Sequence, residues 1–238
     1  MVPKGHALVI SGVTQSGASR SFDRNGDASA KINFEKIYVQ NWMEYGLTDA
    51  FTIFVAPEYV SAVSEVSGQP AVRAHALAIE GGARLLLSSR FGKVSLQASG
   101  KSAGAFDMSV SVGRASGSQF ELRLLYGNSF TLLRRSAFID FEVAERWITR
   151  PRPNEMTIDV MAGIWIRPKA MIMVQSFNTI SGGAGKPPYT FYRQHKIELS
   201  FVRKIGPHWS LQVGGFVSPL GQSIVAEQGV VTALWYRF

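Results

Sequence analysis

The chain has 238 residues, 18% of them charged and 46% hydrophobic, with 23 Gly, 15 Phe and no Cys. Soluble chains usually carry about 25% charged residues, so this one is charge-poor. The missing cysteine excludes disulfides and thiolate metal or redox sites, and no run of roughly 20 apolar residues exists to form a helical membrane span. The net charge of +8 points to anionic partners such as lipopolysaccharide, anionic phospholipid or acidic polysaccharide. Nucleic acid is disfavoured, because no basic helix, zinc-finger spacing or RNA-binding signature accompanies the charge.

Residues Met1-Val2-Pro3-Lys4-Gly5-His6 lack the apolar core of a secretory signal. Export therefore requires that the chain be a mature form. Beyond them, apolar and polar residues alternate along the whole chain, and helical periodicity is absent. In chain order the alternation predicts strands near residues 6–21, 29–45, 50–62, 75–89, 93–101, 118–127, 136–149, 156–166, 170–181, 190–204, 208–217 and 228–238. The clearest cases are the fourth and eighth. Leu77, Ile79, Ala83, Leu85 and Leu87 share one face against Glu80, Gly82 and Arg84. Ile158, Val160, Ala162, Ile164 and Ile166 oppose Thr157, Asp159, Gly163 and Arg167. Alternation over ten or more residues exceeds the usual strand of five or six. It fits a tilted strand of about 9–11 residues crossing a bilayer.

The connections alternate in length. Gly46-Leu47-Thr48-Asp49, Phe91-Gly92-Lys93, Pro168-Lys169 and Gly206-Pro207-His208 are tight. Asp23 to Asp27, Ser67 to Pro70, Arg150 to Pro153 and Gly182 to Tyr189 are longer. Short turns on one rim and longer loops on the other follow the bacterial barrel pattern, with the short turns periplasmic. The segment Asn128 to Arg135 fits this scheme least well. The expected fold is all-β: a single domain over 1–238, closed as an antiparallel up-and-down transmembrane barrel of about twelve strands. A soluble β-sandwich shares the alternation, with the apolar face turned inward.

Three features favour the membrane. Aromatics sit near predicted strand ends (Trp42, Tyr45, Phe51, Tyr59, Trp147, Tyr189, Phe191, Tyr192, Trp209), as in interfacial girdles. The last strand alternates and stops at Phe238, so Trp235, Tyr236 and Phe238 are candidate membrane-insertion residues. The polar face is charged. Glu80, Arg84, Glu121, Arg123, Asp140, Glu142, Arg146, Asp159, Lys196 and Glu198, with Lys36, Glu44 and Glu58, would line a lumen and set selectivity or hold it shut. Arg90, Lys93, Arg134, Arg135, Arg167, Lys169, Arg203 and Lys204 fall at the short turns as a periplasmic basic rim. That rim is read as snorkelling cations or as a dock for an acidic partner. Arg150, Arg152, Lys186 and Arg193 are placed on the opposite side, within reach of lipid A phosphates.

The segments Pro3 to His6, Glu44 to Asp49, Gln119 to Arg123, Phe138 to Glu142, Gln175 to Thr179 and Leu234 to Phe238 resemble the XagA-like proteins. That family consists of outer-membrane proteins linked to exopolysaccharide production. The resemblance covers nearly the whole chain. It implies an envelope location, a part in exporting a surface polysaccharide, and contacts with periplasmic secretion or polysaccharide-synthesis proteins. It carries no catalytic residue.

Enzymatic readings compete weakly. Only His208, with Ser210 two residues on, offers the rudiment of a Ser–His pair, and it lies on the predicted periplasmic side. The carboxylates could be spaced for glycoside hydrolysis, but the basic residues among them favour ion pairs. Asp23 to Asp27 starts like a calcium loop and lacks the later bidentate Glu, so a polar hairpin loop is expected. No cofactor or metal site is expected. The functional expectation is a channel or accessory barrel for exopolysaccharide export. The alternatives are a non-conducting anchoring barrel and, behind it, a lipid-modifying enzyme. Whether residues 102–117 fold inward as a plug is left open by the sequence.

Overall fold

A strand whose side chains alternate between apolar and polar must bury one face and hydrate the other. This chain satisfies both demands by closing on itself. The computed structural model describes residues 1–66, 69–102, 117–184 and 190–238. Its strands are β1 (Ala7–Phe22), β2 (Ala30–Thr48), β3 (Phe51–Val66), β4 (Val72–Ser88), β5 (Lys93–Lys101), β6 (Gln119–Leu132), β7 (Arg135–Ile148), β8 (Glu155–Arg167), β9 (Ala170–Ser181), β10 (Arg193–Lys204), β11 (Trp209–Gln222), the two-residue β12 (Ile224–Val225) and β13 (Gln228–Arg237).

Each long strand pairs antiparallel with its sequence neighbour, and β1 pairs with both β2 and β13. The result is a closed twelve-strand barrel with β12 as an additional short element on the end of β1. Closure leaves none of the twelve long strands with an unpaired edge, which a bilayer would not tolerate.

The apolar face points outward. Leu77, Ile79, Leu85 and Leu87 are all exposed, Leu77 to 74%. So are Leu122, Leu124, Phe141, Leu199, Leu211 and Val213 on other strands. The polar face points inward, where Glu44, Glu58, Glu121, Glu155 and Glu198 are buried. A soluble sandwich would show the reverse. Rings gather at both ends of the outer face. Phe120 and Trp147 lie 5.6 Å apart on the long-loop side. On the short-turn side, Tyr236 lies 4.5 Å from Trp209 and 5.5 Å from Phe238.

Several expected positions need correction. Trp42 faces the lumen, stacks on Phe54 at 4.4 Å and donates its Nε1–H to Glu44 at 2.9 Å. Tyr192 is buried inside rather than girdling the rim. Of the three terminal residues, Tyr236 joins the outer ring cluster, while Trp235 points inward and donates to Gln212 Oε1 at 3.1 Å. Arg152 is buried against Glu155 and is not turned toward lipid phosphates. Tyr189, Lys186 and nearly all of the 102–117 segment lie outside the described residues.

The Asp23 loop is a self-contained turn. Asp23 Oδ1 accepts the N–H groups of Asp27 at 3.0 Å and Asn25 at 2.8 Å. These hydrogen bonds, led by that of Asp27, hold its carboxyl below the ordinary value. The segment around Asn128 forms regular strand after all. β6 runs on to Leu132 and reverses through Leu133 and Arg134, both at positive φ (50° and 60°). A two-residue hairpin turn of this hand normally uses Asn-Gly, because side chains with a Cβ are strained there.

Two tests follow from this geometry. Leu133→Asn with Arg134→Gly should stabilise the barrel by about 1–2 kcal/mol, read as a higher denaturation midpoint in lipid vesicles. Leu124→Arg, near the middle of the outer face, should cost about 2–4 kcal/mol in the same assay. An unchanged midpoint for Leu124→Arg would mean that this face does not meet lipid.

Candidate functional site: the lumen

Inward alternation brings the expected lumen charges together from β4, β6, β7, β8 and β10. Arg123, Arg146 and their carboxylates form one chain of ion pairs, from which Arg84, Lys196 and Glu198 stand apart. Arg123 donates from Nε to Glu121 at 2.7 Å, and from Nη1 to Glu142 at 2.5 Å and Asp159 at 3.0 Å. Arg146 bridges Glu121 at 2.7 Å and Glu155 at 2.8 Å. Glu155 also receives Arg152 at 2.5 Å and the hydroxyl of Tyr192. Arg84 pairs with Glu44 at 3.1 Å and with Gln97 Oε1 at 2.8 Å. Glu198 accepts from Ser200 at 2.6 Å and Gln212 at 3.1 Å. In a confined space with little water, such pairs are screened weakly and hold the walls to one another.

The network divides the interior. On the short-turn side lies a cavity of about 1080 Å³, lined by residues including Glu80, Arg84, Asp140 and Trp235. On the long-loop side lies a cavity of about 320 Å³, lined by Lys36, Glu58, Tyr192, Lys196 and Glu227 among others. Arg146 and Phe177 line both. The boundary therefore runs at their level, where Arg146 is held by carboxylates on β6 and β8.

On the long-loop side stands a segment that sequence reasoning missed. After β11 the chain folds back inward, and β12 pairs with Ser21 and Phe22 of β1. Val225 packs into an apolar cluster with Phe34, Val60, Ala62 and Ala78. Glu227 follows, 1% exposed, and accepts from Lys36 Nζ at 2.7 Å, Lys196 Nζ at 3.1 Å and Ser16 Oγ at 2.5 Å. The one sequence signal was the apolar pair Ile224-Val225 between the predicted strands 208–217 and 228–238. Glu155 was missed because it lies one residue before the predicted eighth strand, and Tyr192 was expected in the girdle rather than in the lumen.

The basic rim residues are all exposed at the short-turn end. Lys204 Nζ lies 4.5 Å over Trp165, and Arg90 lies 5.1 Å over the ring of Phe91. His6 and His208 contact backbone carbonyls of Phe238 and Arg237, and His195 contacts Asn178. Among the described residues no histidine is hydrogen-bonded to a serine.

A closed barrel with an apolar belt, ringed ends and a charged interior has the architecture of an outer-membrane β-barrel. Solved structures agree. The chain is similar to an outer membrane channel from Pseudomonas putida F1, with a TM-score of 0.73 and 11% identity over 100% of this chain and 97% of that one. It is similar to the translocator domain of the autotransporter NalP from Neisseria meningitidis, with a TM-score of 0.61, 10% identity, and 98% and 88% of the two chains covered. The transport unit of the autotransporter AIDA-I from Escherichia coli gives 0.56 and 10%, over 99% and 91%. At these identities the likeness is one of fold. No family model matches the chain, and no curated protein matches it. The XagA-like resemblance therefore rests on the quoted segments alone.

Glu227 tests how this segment is held. Glu227→Ala leaves two lysines facing an emptied buried site and should cost about 3–5 kcal/mol, measured by denaturation in vesicles. Glu227→Leu combined with Lys36→Met should cost less, because both charges of the tighter pair leave together.

Proposed function

We propose that this chain is an outer-membrane channel for small solutes, held shut at rest by side chains rather than by a folded domain. The observation that carries the reading is the pair of cavities meeting at Arg146 and Phe177. An interior built only as a core would be filled with apolar packing. Here the barrier between two hollow spaces is a set of ion pairs, which can exchange partners. The exposed cations of the short-turn rim fit contact with anionic headgroups.

Export of an exopolysaccharide is a finer form of the same reading, supported here only by the resemblance. A polymer would require both the Arg146 network and the Ile224–Glu227 segment to move aside. A non-conducting anchoring barrel is the second reading, and the saturated ion network favours it.

Planar-bilayer recording separates the two. Wild-type protein should show rare, small openings. Removing both members of the central pair, with Glu121→Ala and Arg146→Ala, should raise conductance several-fold without leaving one of them unpaired. Silence in both proteins, each inserted and showing heat-modifiable gel migration, would reject the channel and leave the anchoring barrel.

A further inference from the structure

The positive charge of the chain is concentrated at one end of the barrel. The eight rim cations are joined there by Lys4 and Arg237, and all ten are exposed. The single carboxylate side chain among these turns and strand ends is Asp49, which already accepts the backbone N–H of Lys4 at 3.0 Å. The whole chain holds 25 Lys and Arg against 17 Asp and Glu. Setting aside the ten cations and the one acid leaves 15 against 16, so the excess of +8 resides in the short-turn rim. The cations of the lumen have carboxylate partners, whereas among the described residues none of these ten is in an ion pair.

The same turns carry apolar tips. Leu133 is 82% exposed and Phe91 78%, both above Leu77 at 74%, the most exposed large apolar side chain on a strand. Ile205 is exposed as well. Phe91 follows Arg90, Leu133 precedes Arg134, and Ile205 follows Lys204. Exposed apolar groups rimmed by charge mark a contact surface. A cation beside an apolar side chain suits the headgroup boundary, where the charge meets phosphate and the apolar group meets acyl chains. The rim also continues the lipid-facing surface. Arg135 shares the outward face of β7 with Ile139 and Phe141, and Arg203 that of β10 with Leu199 and Phe201. A partner on the barrel axis would meet side chains at the mouth, but these two meet the surrounding leaflet.

We infer that the short-turn rim is a binding surface for anionic phospholipid of the periplasmic leaflet, such as phosphatidylglycerol. Its phosphodiester is held by Arg90, Arg135, Arg167 and Arg203, while Phe91, Leu133 and Ile205 enter the acyl boundary. This rests on the headgroup contact of the channel reading and not on conduction, so a silent barrel would bind the same lipid.

The test uses the full chain in phosphatidylcholine vesicles that contain a minor share of brominated lipid, which quenches tryptophan on contact. Trp209 lies on the outer face at the short-turn end, and Trp147 at the long-loop end, where Glu145 shares its face. Trp147→Phe isolates the first and Trp209→Phe the second, because Trp42, Trp165 and Trp235 point inward. Brominated phosphatidylglycerol should quench Trp209 about twofold more than the same share of brominated phosphatidylcholine. At Trp147 the two lipids should quench alike. The preference at Trp209 should fade in concentrated salt. It should also vanish in the Arg90→Gln, Arg135→Gln, Arg167→Gln, Arg203→Gln variant, with heat-modifiable migration kept. Equal quenching of Trp209 by the two lipids, the same preference at Trp147, a preference indifferent to salt, or one undiminished in the folded four-site variant would overturn the inference.

Discussion

The pairing of β1 with both β2 and β13 is the constraint on which everything else rests. In hydrocarbon a strand edge would leave a row of backbone groups without partners, each at a cost of several kcal/mol. Closing the sheet removes that cost at one stroke and permits an apolar exterior. It also creates an interior cut off from bulk water. Charged residues in that interior must find partners among themselves, and the ion-pair chain from Asp159 to Arg152 is the consequence.

Such pairs are costly to assemble, since both members give up hydration. An apolar filling of equal volume could hold the barrel as firmly. Polar residues kept where apolar ones would serve are therefore informative, and here they sit at the boundary between two cavities. The apolar cluster around Met173 makes the same point from the other direction. Hydrophobic side chains from β7 to β10 and β13 fill part of the lumen, while charged ones, some on the same strands β7 and β8, surround empty space. The interior is thus partitioned along its axis at the level of Arg146 and Phe177.

The inward fold of the chain after β11 has its own logic. Val225 supplies apolar burial, and Glu227 supplies an acceptor between two lysines and a serine. Neither residue suffices alone: an apolar tip without the carboxylate would leave Lys36 and Lys196 unmatched, and the carboxylate without Val225 would lack anchoring surface.

The sequence by itself determined the barrel, its strand number and the inward set of charges. Two-residue alternation assigns each side chain a face without knowledge of any partner, and strands longer than about ten residues imply a bilayer. It misplaced Trp42 and Tyr192, because aromatic residues satisfy a girdle or a lumen equally well and only register fixes the side. It read Asn128 to Arg135 poorly, because Leu133 and Arg134 carry no turn chemistry and are held at positive φ by the paired strands on either side. Only the tertiary structure decided which charges meet. Arg146 with Glu155, Glu227 with Lys36 and Arg123 with Asp159 join residues 9, 191 and 36 positions apart. Their contacts depend on the register and curvature of a closed sheet, which no local pattern encodes.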